Sequence, residues 1–315
     1  MCQAPAVPDV VDPAVATGVD AEVAADVDAD VAAVMAWYDH HRRDLPWRRP
    51  GTTPWGVLVS EVMLQQTPVE RVAPVWQQWL ARWPTPAALA ASPSGEAVRA
   101  WGRLGYPRRA LRLHAAAVAV VAEHGGRVPS TEHELRALPG VGDYTAAAVL
   151  AFGFGRRAVV LDTNVRRVLA RWREGEALPA PAVTMAERRA AERVVPQEDA
   201  AAAHWAVASM ELGAVVCRSR APRCAACPLA SSCAWLASGS PDADPRRRRT
   251  QAWHGTDRQC RGALLAVVRA APASVLGSEL EAAWDDGVQR ERALASLLAD
   301  GLLERTRAGR YRLPR

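Results

Sequence analysis

The sequence is short of several residue types and patterns. Its 315 residues include no lysine, two phenylalanines and six cysteines. No apolar run reaches the roughly 18–20 residues that cross a bilayer, and the amino terminus lacks the basic stretch that opens a secretion signal. We therefore expect a cytoplasmic protein, in which six cysteines are too few for a disulfide scaffold. The rarity of phenylalanine and of strand-like runs predicts a largely helical protein.

Charge is distributed unevenly along the chain. Residues 1–30 carry seven acidic side chains and no arginine, whereas the whole chain has a formal net charge of +5, which leaves +12 on residues 31–315. The 39 strongly basic residues are all arginines, whose planar guanidinium groups bind phosphates through paired hydrogen bonds. Such a composition suits a polyanionic partner such as nucleic acid. From charge alone, a solvated arginine-rich surface is an equal alternative.

Composition and periodicity divide the chain into four parts. Residues 1–28 are predicted to form a disordered acidic tail, and residues 29–236 a helical domain. Residues 237–256, which include Arg246–Arg249, are predicted to be a basic linker. Residues 257–315 predict a small winged-helix-like module, in which three helices precede a hairpin.

Within the helical domain, breaks at glycine and proline separate the predicted helices. Thr53 and Pro54 suit the cap and the first turn of one helix. Further helices are expected at 69–82, 94–101, 107–124, 132–138, 143–152, 162–172, 183–194 and 198–213.

Four cysteines are concentrated in seventeen residues near the end of the helical domain. Six, two and five residues separate successive members of the set, which comprises Cys217, Cys224, Cys227 and Cys233. Thiolates at such short spacing can converge on one metal centre, either a [4Fe–4S] cluster or a tetrahedral zinc ion. Structural zinc sites more often pair two C-x-x-C knuckles. Because this chain has one such knuckle, the spacing favours the iron–sulfur cluster.

A turn that contains two glycines, Leu138–Gly142, separates two predicted helices. Glycine permits a tight turn that other residues resist, and the turn would leave the first amides of the next helix pointing outward. Those amides and the helix dipole predict an anion site at Gly140, Val141 and Gly142 that suits a DNA phosphate. Taken alone, the turn fits a plain helix connector equally well.

Two acidic residues occupy positions that suit catalysis. Asp162 follows an apolar run and precedes an amphipathic helix, so it is expected at a helix start, where it would also act as an N-cap. Glu61 shares a predicted helix face with Leu58, Val62 and Gln65. Apolar surroundings disfavour the ionised carboxyl group, and a protonated carboxyl is what a general acid at neutral pH requires. The alternative for Glu61 is a structural role as the partner of a buried arginine.

These segments together resemble the adenine DNA glycosylases of the MutY type, in the helix–hairpin–helix glycosylase superfamily. The resemblance covers roughly residues 31–236. It implies an all-α, two-lobed fold with a six-helix lobe at about 54–161 and a cluster lobe at about 29–53 and 162–236. It rests on E-V-M-L-Q-Q-T at 61–67, L-G-Y at 104–106, L-P-G-V-G-x-Y-T-A at 138–146, L-D-x-N-V-x-R-V-L at 161–169, M-E-L-G-A at 210–214 and the four cysteines.

The family removes adenine paired with 8-oxoguanine or guanine. The resemblance therefore implies a base-excision-repair enzyme that acts on double-stranded DNA, as a monomer associated with the bacterial nucleoid. The adenine would be flipped out, because its glycosidic bond cannot be reached in the stack. Glu61 would be the general acid and later activate water, and Asp162 would stabilise the positive sugar or bond to it transiently.

The resemblance also implies roles for the other site residues. Tyr144 and Asn164 would hold hydrogen bonds in the catalytic site, and the four cysteines would bind a structural [4Fe–4S] cluster. The implied substrate contacts are Arg43, Leu45 and Trp47 around the base, Gln65, and Gln66 and Tyr106 as wedges beside the lesion.

Position 144 separates two enzyme classes. The related endonuclease III enzymes carry lysine there, and its amine forms a Schiff base that leads to strand cleavage. Tyr144 cannot form that Schiff base, so the sequence predicts a monofunctional glycosylase. Thymine–guanine mismatch glycosylases also carry Tyr and Asp at positions 144 and 162 and are the nearest enzymatic alternative. A non-catalytic DNA-binding protein is the alternative from another class.

The sequence departs from the family pattern at several positions, among them Pro107, where a second tyrosine usually follows L-G-Y. Thr163 stands where the family often has glycine, and Val207 replaces a polar residue that contacts adenine. Many members also end in a Nudix-like domain that reads 8-oxoguanine, whereas residues 257–315 show a different pattern. We therefore expect a reduced preference for 8-oxoguanine over guanine.

Overall fold

The computed structural model describes residues 13–241 and 253–315, with side chains from Asp26 onward. Helices make up nearly all of the regular structure in this part of the chain, which confirms the predicted all-α class. The helices are α1 (Pro13–His41), α2 (Pro54–Leu64), α3 (Val69–Arg82), α4 (Pro86–Ala90), α5 (Ser94–Trp101), α6 (Arg108–His124), α7 (Glu132–Ala137), α8 (Asp143–Phe154), α9 (Thr163–Leu169), α10 (Met185–Val194), α11 (Asp199–Val215), α12 (Ala234–Ala237), α13 (Asp257–Ala270), α14 (Gly277–Glu281) and α15 (Gly287–Ala299).

The amino-terminal helix begins earlier than composition predicts. Residues 1–12 of the predicted tail lie outside the described residues, but α1 starts at Pro13 and includes residues 13–28. The prediction of disorder is therefore wrong for residues 13–28. Proline suits a first helical turn, and the alanines of this segment favour a helix strongly. Arg246–Arg249 of the predicted linker also lie outside the described residues.

The first of two compact units comprises Met1–Arg42 and Leu161–Ala243. Helix α11 is central to it, because α1 and α9 both pack along α11. Trp172 and Trp205 are buried in this unit with ring centroids 6.1 Å apart. Trp172 Nε1 also donates a hydrogen bond to Asp30 of α1 at 2.9 Å. This packing fixes the start of α9, where one of the predicted catalytic carboxylates lies.

The second unit comprises Arg43–Val160 and Asp244–Arg315. Its central helix is α2, which packs against α3, α6 and α8 and is buried from Trp55 to Met63. Thr53 caps α2 as predicted, since its hydroxyl accepts a hydrogen bond from the Gly56 amide at 3.2 Å. Close packing of α2 against α8 depends on a small residue, because a Cβ at Gly153 would lie 3.2 Å from Pro54 Cα.

The carboxy-terminal module belongs to the second unit. Its three predicted helices and hairpin are confirmed as α13, α14 and α15 and the strands β1 (Glu304–Arg305) and β2 (Tyr311–Arg312). The strands are antiparallel, with Glu304 opposite Arg312, and Val275 pairs with Tyr311 on the other side. The buried side chains of α13 belong to the same hydrophobic core as those of α2–α8.

Two boundaries therefore differ from the predicted ones. Residues 43–53 group with the second unit and not with the predicted cluster lobe, because Leu45 and Trp47 bury their side chains in its core. Residues 257–315 share that core and are not a separate body. No helix in the described parts of the chain is both long and apolar enough to span a membrane.

Candidate active site

Glu61 and Tyr144 are brought together by the packing of α2 against α8. Glu61 lies in the last turn of α2 and is 4% exposed. The hydroxyl of Tyr144, in the first turn of α8, donates a hydrogen bond to Glu61 Oε2 at 2.6 Å. Burial disfavours an ionised carboxyl group, whereas a donated hydrogen bond stabilises it. The pair is therefore suited to a carboxyl group that releases a proton and then holds the resulting charge.

Two exposed residues of the second unit have unusual backbone geometry. Gln66 follows α2, and Tyr106 precedes α6; their φ angles are +54° and +46°. Residues other than glycine rarely adopt this left-handed region. Gln65 is less exposed, and its Nε2 lies 3.5 Å from Thr145 Oγ1. The two strained positions coincide with the two predicted wedges.

A buried arginine joins the loops that carry these wedges. Arg109 is 6% exposed, and burial lowers the pKa of its guanidinium group to about 10. It therefore stays charged at neutral pH, and each of its hydrogen bonds is charge-assisted. Its acceptors are the carbonyls of Val62, Met63, Gln65 and Gly105 and the hydroxyl of Thr67, at 2.6–3.1 Å.

The three residues predicted to border the base lie in the segment before α2. Arg43 is half-buried, whereas Leu45 and Trp47 are each 7% exposed. The Trp47 ring packs edge-on against Trp76, with centroids 6.0 Å apart. Leu45 and Trp47 are thus core residues of the second unit, and a contact between any of the three and a base stays a prediction.

The glycine turn between α7 and α8 has the predicted form. Gly140 has a φ of +81°, and a Cβ there would lie 2.8 Å from Arg112 Cβ, so only glycine fits without strain. Val141 is buried, and its amide donates to the Leu138 carbonyl at 3.1 Å. Gly142 occupies the N-cap of α8 and supplies no side-chain cap. The start of this twelve-residue helix therefore carries no side-chain cap, and its dipole favours an anion there.

In the first unit, Asp162 caps α9 as predicted. Its Oδ1 accepts hydrogen bonds from the amides of Asn164 at 2.9 Å and Val165 at 2.7 Å. The side-chain amide of Asn164 donates to Asp162 Oδ2 at 2.7 Å. Burial raises the pKa of Asp162, and these three hydrogen bonds oppose that rise. Burial thus disfavours the charged form of Asp162, and the three hydrogen bonds favour it.

Arg167 connects Asn164 with the cysteine segment of the same unit. Its Nη2 donates to Asn164 Oδ1 at 2.9 Å and to the Gly213 carbonyl at 2.6 Å, and its Nε donates to the Cys217 carbonyl at 2.7 Å. One turn later, Arg171 Nη1 lies 3.5 Å from the Cys217 sulfur. Arginine side chains thus stabilise both the Asp162–Asn164 pair and the beginning of the cysteine segment.

The four cysteines are half-buried, and none of them forms a disulfide. Burial, reinforced by the charges of the other three thiolates, raises the pKa of Cys227 to about 11. In the described residues, no three His, Cys, Asp or Glu side chains are placed to hold a single metal ion. Four cysteine thiols are the donor set that holds a [4Fe–4S] cluster, so the set fits such a cluster chemically.

Comparison with known proteins agrees with this geometry. Residues 59–194 match the family described as HhH-GPD superfamily base excision DNA repair protein. The adenine DNA glycosylase of Mycobacterium tuberculosis is 51% identical over 283 residues, which cover 89% of this chain and 92% of that protein. The chain belongs to the adenine DNA glycosylase family. Adenine DNA glycosylase from Mycolicibacterium smegmatis is likewise 51% identical, over 89% of this chain and 94% of the relative.

Structural comparison supports the same assignment. A solved thermostable thymine-DNA glycosylase has a TM-score of 0.61 and 27% identity, over 67% of this chain and 97% of that structure. The helix–hairpin–helix glycosylase fold predicted from the sequence is thereby confirmed. As a member of the adenine DNA glycosylase family, the chain is an enzyme of base excision repair that hydrolyses N-glycosyl bonds.

Sequence reasoning missed Arg109 and Arg167. Arg109 shares a helix face with Leu113 and Ala116, which are both buried. An arginine on an apolar helix face is a detectable signal, because a buried cation requires several acceptors. The sequence signal for Arg167 is weaker, because neighbouring positions also carry arginine and the segment stands out mainly for Asp162 and Asn164.

Proposed function

We propose that this member of the adenine DNA glycosylase family excises adenine paired with 8-oxoguanine or guanine in double-stranded DNA. It acts as a monomer. The observation that supports this most strongly is the buried Glu61 carboxyl group with the Tyr144 hydroxyl at 2.6 Å. A shielded carboxyl group with one strong donor is suited to protonate a leaving base.

The proposed reaction begins when the adenine leaves the duplex stack. Glu61 protonates N7 of the base, and the bond between N9 and the sugar C1′ breaks with its electron pair on the adenine. The Glu61 carboxylate, stabilised by Tyr144, then takes a proton from water as that water attacks C1′. The products are free adenine and an abasic site.

Asp162 has the complementary role in this proposal. Its carboxylate accepts three hydrogen bonds from Asn164 and Val165, which favour the charged form against desolvation. A fixed negative charge stabilises the oxocarbenium-like sugar that forms as the base leaves. Asp162 either holds this cation electrostatically or bonds to C1′ until water displaces it.

DNA binding in this proposal uses backbone groups and the two strained loops. The Gly140–Gly142 turn and the positive end of the α8 dipole bind a phosphate. Gln66 and Tyr106 enter the space beside the mispair, and Gln65, Arg43, Leu45 and Trp47 line the region of the flipped base.

Cys217, Cys224, Cys227 and Cys233 would hold a [4Fe–4S] cluster. When bound, the cluster would supply a structural cross-link for the last segment of the first unit. Arg167 and Arg171, which hydrogen-bond the Cys217 segment, would orient that segment and offset the negative charge of the thiolates. Iron and sulfide analysis distinguishes this cluster from a zinc ion.

Tyr144 also determines the class of product. Because no lysine amine is available at position 144, we expect an abasic site and no direct strand cleavage. The test uses labelled duplexes with adenine opposite 8-oxoguanine, guanine, cytosine or thymine. Each reaction is divided after incubation with the protein, and one half is heated in alkali while the other half is not. The proposal is supported if the strand that carries adenine opposite 8-oxoguanine or guanine is cleaved only in the half that was heated in alkali. Strong cleavage without alkali would contradict the monofunctional assignment.

A thymine–guanine glycosylase is the second candidate. It is favoured by the likeness to a thymine-DNA glycosylase structure at 27% identity. A thymine:guanine duplex in the same assay decides between the two. Removal of thymine with no removal of adenine would replace the first proposal.

A further inference from the structure

The carboxy-terminal module is fixed against α5 within the second unit. The Gly95 amide donates to the Pro314 carbonyl at 2.9 Å, and a Cβ at position 95 would collide with that carbonyl. Arg99 Nη1 donates to the Ala271 carbonyl at 2.9 Å, and Arg269 hydrogen-bonds the Gly102 carbonyl. These contacts join the end of α13 and the last residues of the module to α5 and the residue that follows it.

This docking brings the first turn of α13 to a predicted wedge. The guanidinium carbon of Arg258 lies 4.7 Å from the ring centroid of Tyr106, and that of Arg109 lies 5.5 Å from it. Arg258 also lies 5.5 Å from the ring of Trp253, which is 48% exposed. Arg258 is exposed, and Tyr106 is 43% exposed. The Tyr106 ring is therefore accessible to DNA while two cations hold it.

Two features indicate that Arg258 is placed for its contact with Tyr106. A cation in the first turn of a helix opposes the helix dipole, so helix stability does not explain an arginine there. Tyr106 has a left-handed backbone, which a side chain resists unless neighbouring groups hold it. Arg109 holds this loop through the Gly105 carbonyl, and Arg258 contacts the ring from the module.

We propose that Arg258 is a positioning residue for Tyr106, through which the carboxy-terminal module takes part in separating the target nucleotide from the DNA stack. The inference rests on the proposed function, in which Tyr106 wedges beside the lesion. A ring already held in one orientation loses less conformational freedom when it enters the duplex. The unstacked state of the DNA is then more populated.

The test measures unstacking directly with the full-length protein. A duplex carries 2-aminopurine in place of the target adenine, and its fluorescence rise at saturating protein reports the unstacked fraction. Because an exposed cation–π contact is modest, Arg258→Ala should lower the unstacking equilibrium about two- to fivefold. Arg258→Lys should recover only part, since an ammonium group lacks the planar stacking surface.

A double-mutant cycle separates positioning from a general charge effect. In a Tyr106→Leu background, Arg258→Ala should cause no further loss, because the ring it holds is gone. Arg307→Ala is the matched control, since Arg307 is an exposed arginine in the hairpin turn of the same module. An equal loss in both backgrounds, an equal loss from Arg307→Ala, or no loss from Arg258→Ala would each overturn the inference.

The same series distinguishes this inference from the proposed function. If the wild-type protein unstacks 2-aminopurine in an Arg258-dependent way but excises no adenine, the proposed function fails and the inference stands. If the wild-type protein excises adenine and the Arg258→Ala variant unstacks 2-aminopurine as well as the wild type does, the inference fails and the proposed function stands. A wild-type protein that unstacks nothing would overturn the inference, whatever it excises.

Discussion

The hydrogen bond between Tyr144 and Glu61 yields a quantitative prediction. Tyr144→Phe removes the donating hydroxyl and keeps the ring that packs in the second unit. A hydrogen bond to a charged group contributes about 1.5–3 kcal/mol, and the 2.6 Å distance and the burial of Glu61 place this bond among the strong ones. Since about 1.4 kcal/mol corresponds to a tenfold change in rate, single-turnover excision should fall about 10- to 150-fold.

The assay follows alkali-revealed cleavage of an adenine:8-oxoguanine duplex with protein in excess, so that the rate reports chemistry. Tyr311→Phe is the matched control, because it removes the same hydroxyl from the hairpin of the carboxy-terminal module. The affinity for the duplex and the thermal midpoint of Tyr144→Phe should stay near the wild-type values. An excision rate within twofold of wild type would refute the role assigned to Tyr144.

The remaining predictions concern the first unit. Gly213→Ala places a Cβ 2.7 Å from both Cβ and O of Asn164, so it should lower the free energy of unfolding by about 1–3 kcal/mol. Denaturant unfolding measures this change, and Gly262→Ala is the control because a Cβ at position 262 meets nothing within 4 Å. Asn164→Ala removes the side-chain hydrogen bond that opposes the rise in the pKa of Asp162 caused by burial. Because the reaction needs ionised Asp162, the acid limb of the pH–rate profile should move to higher pH, and an unmoved limb would contradict that role. Cys227→Ser should lose the iron and the visible absorbance that we expect of the purified protein, whereas Cys260→Ser should retain both.

Local chemistry made much of the candidate site predictable. Thr53 and Asp162 cap α2 and α9 as expected, because capping involves residues only two or three positions apart. Gly140 was identifiable for the same reason, since a tight turn between two helices requires a positive φ.

Long-range contacts were not predictable from the sequence. Arg109 bonds to a carbonyl 47 positions away, and its partners are known only once α2 and α6 are packed. The docking of Pro314 on Gly95 depends likewise on a contact between distant segments. The start of α1 was missed for another reason, because acidic composition favours disorder while alanine content favours a helix.

The most direct test of the account is the excision rate of Glu61→Gln on an adenine:8-oxoguanine duplex under single-turnover conditions. Glutamine keeps the size of the side chain but cannot donate the acidic proton, and general acid–base catalysis typically contributes about 10²–10⁴-fold. The account predicts a loss of at least about 100-fold with retained binding of the duplex. An unchanged excision rate in the variant would contradict the account. The account would also be contradicted if the wild-type and variant proteins bound DNA equally well and neither excised adenine.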